Sequence, residues 1–147
     1  MKATINWNGH LNFTASADSG YPVSLDGDQA TNGEVRGASP MELLAMGLGG
    51  CTTMDVTHFE VKVDVERASE HPKVFTQAAV TYVIYGHDVD ESAVLRAMEL
   101  SATRYCPAQA MFEQVFPIDR RYEIYNDDSN GGKYVVRQGI MQDLSLE

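Results

Sequence analysis

From Phe59 to Arg67 the chain reads FEVKVDVER, with Phe59, Val61, Val63 and Val65 on one face and Glu60, Lys62, Asp64 and Glu66 on the other. A period of two marks a strand half-buried in an antiparallel sheet, because successive side chains point to opposite faces. After a turn around SEHP, KVFTQAAVTYVIYG again places Val80, Tyr82 and Ile84 on a common face, which predicts a long partner strand. Helical patterns stand on either side of this pair.

The first helix is predicted over 40–56, within SPMELLAMGLGGCTTMDVT. Ser39 can cap it, Pro40 suits its first turn, and Glu42 completes a capping box three residues after the cap. Gly47, Gly49 and Gly50 each cost roughly 1 kcal/mol relative to Ala in a helix interior, so tertiary packing must decide this segment. On a helical wheel Leu43, Gly47, Gly50 and Met54 form a stripe with Cys51 beside it, a smooth strip where another backbone can approach. A second helix starts near Asp88, capped by Asp90 or Ser92, with Leu95, Met98, Ala102 and Tyr105 at three-to-four spacing. It should break at Cys106, since the residue before a proline is pushed out of helical geometry. Pro107 then opens a short third helix, AQAMFEQV, and RRYEIY forms a strand with Tyr122 and Ile124 on one face.

Upstream, ATINWNG and LNFTA alternate around turn residues and Pro22–Leu25 adds a short strand, which together predict a meander, followed by the loop LDGDQATNGE. Residues 1–126 are expected to form a single domain, and 127–147 a tail in which KYVV is an edge strand.

The formal charge of −10 and pI near 4.7 argue against a nucleic-acid partner, as the basic residues are scattered singly apart from Arg120-Arg121. No apolar run approaches the roughly 20 residues of a membrane span, and Met1-Lys2 leads into an alternating segment, unlike a signal peptide. A cytoplasmic location is therefore expected. The two cysteines, Cys51 and Cys106, have no CxxC or histidine at ligand spacing, so neither a metal nor another cofactor is implied. In a reducing compartment such a pair is either inert packing or redox chemistry.

The combination of SPMELLAMGLGGCTTMDV, FEVKVDVERASEHPKVFT, the acidic helix start Asp90-Glu91 and ELSATRYCPAQAMF resembles the OsmC/Ohr superfamily, and within it the YhfA-like branch of redox proteins. The resemblance covers residues 34 to 126. It implies an α+β, OsmC-like fold in which a strongly curved antiparallel sheet wraps around central helices and two subunits interlock as a homodimer. It also implies a thiol-dependent reduction of organic hydroperoxides, with the peroxide and a thiol reductant as small-molecule partners. Cys51 matches the attacking cysteine of the hydroperoxide-reducing members, and Cys106 the resolving one.

An attacking cysteine must supply thiolate near neutral pH, whereas a free thiol has a pKa of about 8.5. Cys51 lies about three turns past Ser39, beyond reach of the helix N-terminal dipole. An arginine is therefore required, and Arg36 in GEVRGASP is the preferred candidate, with Arg104 second. Cys106 can occupy the cap position of the third helix, where backbone N–H groups point at its sulfur. The chain departs from the family pattern at Met41, which stands where those members carry a glutamate; Glu42, one residue on, is read as the capping-box partner. His58 is roughly two turns beyond Cys51, too far for a Cys-His pair, and reads as a strand-start residue. Leu44, Leu48 and Met54 would favour an organic peroxide if they line the site. A second reading is a non-catalytic OsmC-like dimer that binds a hydrophobic small molecule or stress-related partner.

Overall fold

The computed structural model of the chain describes residues 1–27, 34–53, 59–127 and 133–141. They divide into two compact units, Met1–Leu44 and Ala45–Glu147. Three predicted features fall outside the described residues: part of the LDGDQATNGE loop (28–33), the end of the first helix with Met54 and His58 (54–58), and the chain end (142–147).

In the first unit β1 (Ala3–Gly9), β2 (Asn12–Ala17) and β3 (Pro22–Leu25) make the expected antiparallel meander. Further along, Ala38 bridges back to Leu25. This approach requires glycine at 37, because a Cβ there would sit 2.4 Å from the Ser24 carbonyl oxygen. Asp26 is buried at the end of β3 and accepts the backbone N–H groups of Gly27 (2.7 Å) and Arg36 (3.1 Å), which fixes the course of the segment carrying Arg36.

Helix α1 (Pro40–Thr53) opens with the predicted capping box. The Ser39 N–H donates to Glu42 Oε2 (2.7 Å) and the Glu42 N–H donates to Ser39 Oγ (3.2 Å). Hydrogen bonds from the Ser39 backbone and side chain hold the Glu42 carboxyl below its ordinary value of 4.5.

The second unit contains a four-stranded sheet in the order β4 (Phe59–Arg67), β5 (Phe75–Tyr85), β6 (Ile118–Asp127), β7 (Lys133–Ile140). The alternation in β4 is realised: Val61, Val63 and Val65 are half-buried, while Lys62 and Asp64 are exposed. In β5 both Val80 and Val83 are fully buried, so this inner strand is covered on both faces. KYVV lies in β7, antiparallel to β6 at the sheet's edge. Between β5 and β6 run α2 (Glu91–Leu100), a π turn (Ser101–Tyr105) and α3 (Pro107–Phe112). Asp90 caps α2 by accepting the Ser92 N–H at 3.0 Å.

The single strongly curved antiparallel sheet wrapped around central helices does not occur. The strands form two separate sheets, neither closed nor strongly curled, within an α+β fold. The larger sheet is mixed, because β5 and β6 pair in parallel. The physical reason is the connection: a crossover bearing two helices delivers β6 in the same direction as β5, as a tight hairpin cannot. The interlocking of two subunits was a separate implication of the same resemblance, and a single chain does not test it.

The glycines of α1 also behave differently from the predicted strip. A Cβ at Gly49 would lie 3.0 Å from Val63 Cγ2 on β4, whereas one at Gly47 or Gly50 would meet nothing within 4 Å among the described residues. Gly47→Ala and Gly50→Ala are therefore expected to stabilise the chain by about 0.5–1 kcal/mol each through helix propensity. Gly49→Ala should gain less or destabilise, as Val63 must give way. Urea denaturation of the three variants measures the difference, and equal gains at all three positions would contradict the Gly49–β4 packing.

Candidate functional site

Cys106 ends the π turn and caps α3, as its position before Pro107 predicts. Its N–H donates to the Ser101 carbonyl at 2.8 Å, five residues back, and this wide turn sets the direction from which the sulfur enters the interior. The thiol is buried, and Sγ accepts the Gln109 N–H at 3.4 Å. On its other side stands Thr52 of α1, whose Oγ1 is 3.8 Å from Cys106 Sγ. Thr52 directly follows Cys51, so the contact brings the second cysteine to the helical turn that carries the first. Cys51 is half-buried, and the two cysteines are not joined in a disulfide.

Behind the sulfur lies a polar cluster that the sequence reading missed. Gln109 and Thr52 are completely buried, and Tyr82 and Arg120 nearly so. Arg120 Nε donates to Gln109 Oε1 (3.0 Å), and Gln109 Nε2 donates to Thr52 Oγ1 (3.0 Å) and to the Tyr82 hydroxyl (3.4 Å). Arg120 is also ion-paired with Glu113. Polar groups this deeply buried must be paired, and here the pairing is supplied within the cluster. A signal for Arg120 was available: it shares strand parity with Tyr122 and Ile124, the apolar face of β6, and both of those residues are buried. Gln109, three residues after the capping Cys106, occupies the capping-box glutamine position, although its side chain turns into the cluster.

The other candidates are placed as follows. Arg36 belongs to the first unit, is exposed, and pairs through Nη2 with Glu34 Oε2 at 3.1 Å. Arg104 lies exposed in the π turn. Leu48 is buried as a core residue, while Leu44 is largely exposed. An apolar cavity of about 230 Å³ lies between α2 and β5, lined by Tyr82, Ile84, Val89, Val94, Ala97 and Met98. Among the described residues there is no group of three or more His, Cys, Asp or Glu arranged to hold a metal ion, and no helix is long and apolar enough to cross a membrane.

Residues 31–120 match the family model described as OsmC-like protein. Protein YhfA of Escherichia coli (strain K12) is 33% identical over 135 residues, covering 84% of this chain and 98% of that protein. Two solved structures share the fold: an OsmC-like protein from Mycoplasma pneumoniae (TM-score 0.69, 16% identity, 84% of this chain and 95% of that chain) and an organic hydroperoxide resistance protein OsmC from Legionella pneumophila (TM-score 0.61, 15% identity, 84% and 94%).

Burial pushes the Tyr82 hydroxyl above its ordinary value of 10.0, opposed in smaller measure by its hydrogen bond with Gln109. A raised pKa in the folded state means that this contribution to stability is intact below the unfolded tyrosine's value, near 10, and is lost as pH rises through the folded value. Tyr82→Phe should cost on the order of 1 kcal/mol at pH 7, since Gln109 loses an acceptor. It should also lose less stability than the parent above pH 10, because the ionising hydroxyl is gone. Denaturation midpoints at neutral and alkaline pH check both, and an unchanged difference across the range would contradict the assignment.

Proposed function

The chain belongs to the OsmC-like protein family, and from that premise we propose that it reduces organic hydroperoxides through Cys51 and Cys106. The observation that carries this reading is the 3.8 Å contact between Cys106 Sγ and Thr52, the neighbour of Cys51. It provides a resolving thiol next to the turn that bears the attacking one.

In the proposed cycle the Cys51 thiolate attacks the peroxide O–O bond. One oxygen is retained as the sulfenic acid, and the other leaves with the alkyl group and a proton as the alcohol. The Cys106 thiol then displaces water from the sulfenic acid to form a disulfide, and two equivalents of a thiol reductant restore both cysteines. The name of the Legionella relative supports an organic hydroperoxide as the substrate class. Arg36 is proposed as the cation that stabilises the Cys51 thiolate. A cytoplasmic location supplies the reductant. Assembly as a homodimer belongs to the same proposal, is supported by the exposed apolar side chains of Tyr105, Met111 and Val115, and is read by light scattering.

The apolar cavity between α2 and β5 favours a second reading, in which the protein binds a hydrophobic small molecule without turning it over.

Mass spectrometry after one equivalent of cumene hydroperoxide separates the two. The redox reading expects a Cys51–Cys106 disulfide and consumption of the peroxide; two intact thiols with the peroxide unspent would leave the binding reading. As a nucleophile, Cys51 should react with a thiol probe at pH 6 much faster than free cysteine, and Cys51→Ser should abolish turnover with little loss of stability. Arg36→Ala should slow that alkylation, because removing a nearby positive charge disfavours the thiolate.

A further inference from the structure

We infer that Thr52 accepts a hydrogen bond from the Cys106 thiol and so orients its sulfur for disulfide formation, with Gln109 and Arg120 as positioning residues behind it. The direction follows from donor accounting. The Arg120 guanidinium can only donate, so the atom of the Gln109 amide facing its Nε at 3.0 Å must be the carbonyl oxygen. This fixes the amide and turns both its N–H groups toward Thr52 Oγ1 and the Tyr82 hydroxyl. Thr52 Oγ1 thus receives one hydrogen bond from Gln109.

The single hydroxyl hydrogen of Thr52 is committed as well, donated to the Leu48 carbonyl at 2.9 Å within α1. A hydroxyl has one hydrogen and two acceptor positions. What remains on Thr52 Oγ1 is therefore one acceptor site, and Cys106 Sγ stands 3.8 Å away. The Cys106 sulfur meanwhile accepts the Gln109 backbone N–H, so its own S–H is the hydrogen left to point at Thr52. The thiol is held on two sides, by a donor from α3 and an acceptor from α1.

The chemical consequence rests on the peroxidase reading. In the second step a Cys106 sulfur lone pair attacks the Cys51 sulfenic sulfur. The S–S bond forms, the S–O bond breaks, and the departing hydroxide leaves as water with the thiol proton. With its S–H bond directed at the residue next to Cys51, Cys106 is biased against rotating its sulfur away from that turn. Loss of that anchor should slow the step by about tenfold, the factor associated with one hydrogen bond of orientation.

Two measurements test this, the first independent of any peroxide chemistry. The chain has two cysteines, so in Cys51→Ser the infrared S–H stretch reports Cys106 alone. Adding Thr52→Val should move the band to higher frequency, as for a thiol without an acceptor, and adding Thr52→Ser should leave it in place. Thr52→Ala replaces Val if the latter does not fold. A band unmoved by Val or Ala would overturn the inference.

The second measurement keeps both cysteines and follows the Cys51 sulfenic acid with dimedone after one equivalent of cumene hydroperoxide. Thr52→Val should extend its lifetime by about tenfold, with Thr52→Ser close to the parent. Equal lifetimes would overturn the role in disulfide formation even if the band shifts. If Cys106→Ser yields no dimedone adduct, the peroxidase reading fails and the mechanistic role falls with it, while the infrared result still decides the hydrogen-bond direction.

Discussion

The placement of the Arg120 guanidinium inside the second unit is the constraint on which the site depends. An arginine that is 6% exposed must find full pairing, since a buried charge without it costs several kcal/mol. Glu113 supplies the countercharge and Gln109 a neutral oxygen. Because guanidinium has no acceptor, the bond to Gln109 also selects one of two amide orientations, and that choice passes down the chain of groups to the sulfur of Cys106. A charge on a β-strand thus determines which atoms face a thiol on a different element.

The topology explains why these groups meet. Parallel pairing of β5 with β6 demands a crossover, and the crossover is the stretch that carries the π turn, Cys106 and Gln109. Tyr82 reaches the cluster from β5, Arg120 from β6, and Thr52 from α1. Three of the four elements are thus the sheet's two inner strands and the connection that makes them parallel. A site held on such elements is more rigid than one built on loops.

What the sequence made legible was local. The Ser39–Glu42 capping box, the Asp90 cap and the break at Cys106-Pro107 each depend on residues within three or four positions, and each is present. The alternation of β4 told which side chains face inward. Strand parity carries no direction, however, so it could not reveal that β5 and β6 run parallel or that the strands divide into two sheets. The polar cluster was hidden for a related reason: Gln109 and Thr52 are 57 positions apart, and the capping-box position of Gln109 says nothing of a partner at that distance. Arg36 shows the opposite case, since its ion-pair partner, Glu34, is only two residues away.

The π turn bears on how relatives of this chain are to be aligned. A π turn holds one residue more than an α turn, so a homologue lacking a single residue between 101 and 105 could keep both flanking helices. The wide turn absorbs that extra residue, so an α turn one residue shorter would bring the following YCP letters round to much the same side of the axis. A one-residue gap here therefore leaves the same group facing the threonine. Similarity across this stretch should be judged by the residues that flank the turn before the number within it.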